Sequence, residues 1–275
     1  MFSHAPVAIG STWKATVVFA CFYQLATLLV PPMCYGQSTR QKQETAGSGT
    51  GDKEQVLRHV VFFGFKSTST KKDIDDVVAA FRALPSKIKA IRRFQWGEKI
   101  NRSGLADGLT HCFLLTFEDE DGRAAYLPHP DHKAFGAALG PHLDKVFVID
   151  YWGRPQTKRA EKELKHAVFF KFKDGTSEDD VRAVEEALAE LPSEIDAVKA
   201  FEWGKNNSPE SHDEGFTHCF MFTFDSEEDL KEYVVHPAHR VAADALRLKM
   251  EKIRVIDFWA VDVSSSGLSD ERHSR

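Results

Sequence analysis

The chain has 275 residues, 42% of them hydrophobic and 28% charged, enough apolar material for one large core or two modest ones and too much for a wholly disordered chain. Its 36 Lys and Arg stand against 41 Asp and Glu, a formal charge of -5, so no basic excess points to nucleic acid as a partner. Four cysteines are too few to staple a scaffold of this size.

Residues 1–36 differ in character from the rest of the chain. After Lys14, the stretch Ala15–Val30 carries no charged side chain, and Pro31, Pro32 and the small residues Cys34 and Gly36 lead to a cleavage point ahead of Gln37. This pattern predicts a signal peptide and a secreted or periplasmic protein. The competing reading, an uncleaved anchor, is disfavoured because 16 residues that include Gln24 are short for a membrane span. No membrane association is expected once the leader is removed. Residues 37–56 contain no aromatic residue and three glycines, and are predicted to be a flexible linker.

From there the sequence is written twice. A shift of 107 aligns Leu57–Gly153 on Leu164–Ala260 without a gap, and 37 of the 97 positions are identical. The period is too long for a solenoid, so residues 57–153 and 164–260 are each read as a small domain, with 154–163 as linker and 261–275 as a polar tail.

Each copy predicts the same elements. Arg58–Lys66 is β-branched and aromatic, a strand apolar on both faces. A helix follows from Lys71 to Leu84, with Ile74, Val77, Val78, Phe81 and Leu84 on one stripe. Thr70 and Asp73, like Ser177 and Asp180, form a capping-box pattern, and Pro85 and Pro192 are expected to stop the helix. Strands near Ile88–Glu98 and Leu109–Glu118 come next, then a helical region from Asp119 to Leu139 interrupted at Pro130, and a last strand over Lys145–Trp152. The order βαββαβ predicts an α+β, ferredoxin-like unit. Because a one-layer unit leaves a greasy sheet face bare, the two repeats are expected to press their sheets together as an internal pseudo-dimer.

Eight of the 12 histidines occupy four matched positions: His59, His111, His129 and His132, then His166, His218, His236 and His239. Taking the first and third strands as parallel neighbours places His59 and His111 at one end of the sheet. Asp150, Trp152 and Trp96 return to that end, and His132 hangs beside it. A ligand-binding cleft in each half is therefore expected. Singly, each residue has a plainer reading: a strand histidine as a satisfied polar group, His129 as a helix end, Trp96, Trp152, Trp203 and Trp259 as core, and Asp150 as a turn anchor. Duplication of the whole set favours a site.

Such a cleft suits three chemistries. Imidazole beside a tyrosine hydroxyl, Tyr126 or Tyr233, can relay protons near neutral pH. Histidines can hold a metal, but no Cys or Glu has ligand spacing, so no metal ligand and no cofactor is assigned. The third option is a cleft that binds without reacting. No phosphate loop, dinucleotide fingerprint, G-x-S-x-G or H-E-x-x-H motif is present. Cys112 and Cys219 are expected on the sheet face opposite the histidines, as buried thiols in preference to a disulfide between them. Asn101-Arg102-Ser103 and Asn206-Asn207-Ser208 fit the glycosylation pattern, a weak signal.

Lys165-His166, the strand ending Trp203-Gly204-Lys205, Glu214–His218 and Tyr233–His239 together resemble the stress-responsive A/B barrel (Dabb) domain, within the dimeric α/β barrel superfamily. The resemblance covers both repeats. It implies that two chains' worth of fold pair within one chain. The family includes a plant polyketide cyclase that works by aldol chemistry without cofactor or metal. By that resemblance Tyr126, His132, Tyr233 and His239 are the implied catalytic residues. His59, His111, His166 and His218 then line the pocket, with His129, His236, Trp96 and Trp203 as further ligand contacts. Pro128 in the first repeat and the Arg240–Ala243 segment in the second depart from that cyclase and alter the pocket's shape. The expected protein binds a small, partly apolar organic molecule, with cofactor-free cyclase- or lyase-like chemistry. The alternatives are a non-catalytic stress-response or ligand-binding module, or a metal- or haem-binding protein.

Overall fold

The computed structural model describes residues 55–100, 104–156 and 160–263. The predicted leader and nearly all of the 37–56 linker lie outside them, as do Asn101 and most of the 261–275 tail. Among the described residues no helix is long and apolar enough to cross a membrane.

The first repeat runs β1 (Val56–Phe65), α1 (Lys71–Arg82), α2 (Leu84–Lys87), β2 (Arg93–Glu98), β3 (His111–Phe117), α3 (Glu120–Tyr126), α4 (Pro130–Leu139) and β4 (Leu143–Gly153). The second runs β5 (Lys162–Phe172), α5 (Glu178–Glu194), β6 (Ala200–Lys205), β7 (His218–Phe224), α6 (Glu227–Val235), α7 (Pro237–Lys249) and β8 (Met250–Asp262). Thr70 closes the predicted capping box: its side chain accepts from Asp73 N while Asp73 accepts from the Thr70 backbone N–H at 2.8 Å. Ser177 caps α5 through Asp180 N. Pro130 is the first residue of α4 and so starts a helix. Pro192 does not stop its helix, contrary to expectation. It sits in the last turn of α5, where its ring costs a single backbone bond before the helix ends at Glu194.

The strands form one antiparallel sheet in the order β4-β1-β3-β2-β8-β5-β7-β6. Here a second expectation is corrected: β1 and β3 are antiparallel, with His59 opposite Leu115 and Phe63 opposite His111. The helical crossover after β1 makes β2 parallel to it, and β3, which doubles back from β2 and inserts between them, opposes both. His59 and His111 therefore stand at opposite ends of the sheet.

The sheet curls on itself. Gln95 and Trp96 of β2 pair with Asp262 and Val261 of β8. At the other edge Asn207 N donates to Asp150 O at 2.9 Å and Val148 N to His212 O at 3.1 Å. Helices cover the outside, packing on Leu57, Val61, Phe63, Phe94 and Phe113 in the first half and on their counterparts in the second. The inside is a separate core shared by both halves, built from Val60, Phe62, Cys112, Phe147, Ile149, Phe169, Cys219, Met221 and Ile256. Phe62 and Phe169, the same position in the two repeats, meet edge to face at 5.3 Å and mark the internal pseudo-twofold. Cys112 and Cys219 are free thiols in this core, and burial pushes both well above the usual thiol range.

Candidate active site

Alternation along β1 puts His59, Val61 and Phe63 on its helix-facing side, and α3 ends with Tyr126 directed at them. The chain then turns through Leu127 and Pro128 into α4, whose first turn carries His132. Tyr126 is fully buried, 5.6 Å from the His59 ring and 4.2 Å from the His132 ring. The second half repeats this arrangement, with Tyr233 at 5.6 Å from His166 and 4.5 Å from His239. Each triad lines a cavity between sheet and helices, of about 270 Å3 in the first half and about 450 Å3 in the second.

The two imidazoles of the first triad are held in different states. His132 Nδ1 lies 3.0 Å from the Leu127 carbonyl, and His239 Nδ1 lies 3.0 Å from the Val234 carbonyl. A carbonyl only accepts, so Nδ1 carries the proton and the Nε2 lone pair is left for the cavity. Burial lowers both imidazoles below the ordinary 6.5, which keeps them neutral near pH 7. His59 is the opposite case. Burial works against its charge, but Asp150, at 2.7 Å, outweighs burial and raises it. Burial likewise works to raise the Asp150 carboxyl, and His59 with Arg123 holds it below 3.8 instead. In the second half His166 Nδ1 lies 2.6 Å from Asp257 Oδ1. The Tyr126 and Tyr233 phenols are pushed up by burial, Tyr126 further by the Glu210 and Asp150 carboxylates, so both are proton-bearing hydrogen-bond donors.

The model of the Stress Responsive A/B Barrel Domain, Dabb, matches residues 57–153 and again 164–260. The chain belongs to the Dabb family. One similar relative is the stress-response A/B barrel domain-containing protein HS1 of Arabidopsis thaliana, 37% identical over 107 residues that cover 39% of this chain and 98% of that protein. Another is olivetolic acid cyclase of Cannabis sativa, 34% identical over 95 residues, covering 34% of this chain and 94% of that protein. A crystal structure of an anthrone oxidase-like protein superimposes on 76% of this chain and 92% of its own with a TM-score of 0.56 at 10% identity, a likeness of fold.

The remaining expected site residues of this tandem Dabb protein lie elsewhere. His111 packs against Phe65 at 4.9 Å, with its Nδ1 2.9 Å from Thr110 Oγ1. His218 stacks on Phe170 and bonds Glu185 at 3.0 Å. Neither lines either His/Tyr cavity, because the antiparallel register carries them to the far end. His129 and His236 cap α4 and α7, each accepting a backbone N–H through Nδ1. In His-Pro-x-His, then, the first histidine and the proline start the helix and the second faces the cavity. Trp96 stacks on Phe113 and under Arg82, and Trp203 on Phe220, both outside the His/Tyr cavities. Among the described residues no group of three or more His, Cys, Asp or Glu is placed to hold a metal ion.

Sequence reasoning missed four contributors. Glu210 and His212, on the second repeat's β6–β7 loop, enter the first repeat's cavity, as Leu105 of the first repeat enters the second's. Arg123 binds both Asp150, at 2.7 Å, and Asn207 Oδ1, at 2.9 Å. The available signal was the breach of the repeat: His212 aligns with Leu105, Glu210 with Ser103 and Arg123 with Leu230.

Proposed function

We propose that each half binds a small, partly apolar organic carbonyl compound and moves a proton on it. In this reading Nε2 of His132 or His239 takes a proton from carbon next to the carbonyl, while the Tyr126 or Tyr233 phenol hydrogen-bonds the carbonyl oxygen as charge develops there. The observation that carries it is the Nδ1–H bond to a backbone carbonyl, found in both halves, which leaves an unprotonated Nε2 on an imidazole 4.2 or 4.5 Å, ring to ring, from a phenol lining the same cavity. The cyclase among the relatives lends this chemistry further support, and cyclase- or lyase-like turnover is the class of reaction it suits.

The experiment is the double substitution His132→Ala with His239→Ala. It should abolish turnover of a carbonyl substrate found by screening, with the melting temperature nearly unchanged, since both side chains are only partly buried. An active double variant removes the assignment. Saturable ligand binding by the wild type with no product by mass spectrometry assigns a binding module instead.

A further inference from the structure

The two cavities have the same triad but different walls. In the first, Phe81 and Phe135 stack at 4.3 Å, where the second half has Leu188 and Ala242, and the space shrinks accordingly. In the first, the loop from the other repeat brings Glu210 and His212; in the second, it brings Leu105. Glu210 Oε2 comes within 3.7 Å of His59 Nδ1, yet that nitrogen is already taken by Asp150 at 2.7 Å. Among the described residues two buried polar atoms of the first cavity, Tyr126 Oη and Glu210 Oε2, have no hydrogen-bond partner. The Tyr126 phenol is raised first by burial and further by the Glu210 charge, which places the two groups in one field.

Leaving two buried polar groups unsatisfied is costly, and a bound molecule that pairs both recovers that cost. One is an available donor and the other an acceptor. The complement is a compact neutral molecule with a carbonyl oxygen to accept from Tyr126 and a hydroxyl to donate to Glu210. A carboxylate ligand would meet Glu210 as a like charge. We propose that the first cavity is a composite site, selective for small neutral hydroxy-carbonyl compounds through Glu210 of the opposite repeat. The second cavity, larger and lined by Leu105 instead, takes bulkier and more apolar molecules. This rests on the His/Tyr cavities binding carbonyl compounds as proposed above.

The test uses the full chain and two probes, 4-hydroxyacetophenone and its methyl ether 4-methoxyacetophenone, with binding at each cavity followed on the assigned His132 and His239 ring resonances by NMR. The variants are Glu210→Gln, which keeps the shape, and Glu210→Ser, which installs the residue of the matching position 103. Both change a loop side chain, and unaltered melting temperatures show that they fold. The hydroxyl probe should saturate the His132 signal of the wild type and lose roughly tenfold in affinity in both variants, the scale of a hydrogen bond to a charged group. The methyl ether should bind all three proteins alike. Equal affinity of the hydroxyl probe for all three, or its binding at His239 alone, overturns the composite site and leaves the carbonyl-binding reading standing. Response of neither resonance to either probe overturns both.

Discussion

His132 and Leu127 are joined by a 3.0 Å bond from the imidazole Nδ1 to the backbone carbonyl, five residues back across the α3–α4 turn. The bond settles which nitrogen faces the cavity, and burial then lowers the imidazole below 6.5. Proton-accepting activity should rise with pH through an inflection that lies below pH 6.5, the midpoint of an unperturbed histidine. The linkage has a stability side. A histidine whose folded value is depressed contributes stability that is fully present above 6.5 and lost as pH falls through the lowered folded value. A rate profile with its lower inflection above 6.5 would contradict the assignment of His132 and His239 as the bases.

His59 and Asp150 shift in the opposite senses, and their windows bracket a range. The raised His59 contributes stability that is complete below 6.5 and lost as pH climbs through its folded value. The lowered Asp150 contributes stability present above 3.8 and lost as pH falls through its folded value. Asp150→Asn leaves His59 and Arg123 buried without their carboxylate, and should cost about 3–5 kcal/mol. Asp257→Asn should cost less, because that carboxylate is 14% exposed and Leu230 stands where the first repeat has Arg123. Urea unfolding of the two variants at pH 5.5 measures both losses; equal losses would show that Arg123 adds nothing to the first pair.

Tyr126 is buried to 0% exposure and its hydroxyl has no hydrogen-bond partner among the described residues. Tyr126→Phe therefore removes an unsatisfied group without opening a cavity, and stability should hold or rise by up to about 1–3 kcal/mol. Ligand binding or turnover in the first half should fall all the same. Calorimetric melting beside an activity measurement separates the two effects, and a marked loss of stability would mean that the hydroxyl has a structural partner.

The repeat, the βαββαβ order and the helix caps were legible because each depends on local spacing, whereas the second histidine of His-Pro-x-His was singled out by the resemblance to the Dabb family. Strand direction was not. His59 and His111 both sit near the start of an apolar strand, and only the position of β3 between β1 and β2 decides that these starts lie at opposite ends. Glu210 and His212 were illegible for a different reason. They reach the first cavity only because the halves dock, and the pattern within either copy holds no trace of that docking. His212, a histidine without a counterpart in a chain whose other cavity histidines are all duplicated, was a visible clue, as was Glu210 where the first repeat has Ser103.

The Trp-Gly pair that ends β2 and β6 marks the seams between the halves, and its glycines are open to test. A Cβ on Gly97 would stand 2.1 Å from the Trp259 carbonyl oxygen, a backbone atom that cannot swing aside. On Gly204 it would stand 2.8 Å from Tyr151 Cβ, itself fixed in the inner core. Adding a methyl at either position forces the neighbouring strand to move, and overpacking of this kind costs about 1–3 kcal/mol. Gly97→Ala should be the more damaging, since its contact is shorter and with backbone, and it must loosen the Trp96–Val261 pairing that joins the repeats. Denaturant midpoints should therefore fall in the order wild type, Gly204→Ala, Gly97→Ala. Hydrogen exchange should quicken at Ile100 in Gly97→Ala, because the Ile100 N–H bond to Asp257 O crosses the same seam. An unchanged midpoint for Gly97→Ala would mean that β2 and β8 do not approach this closely.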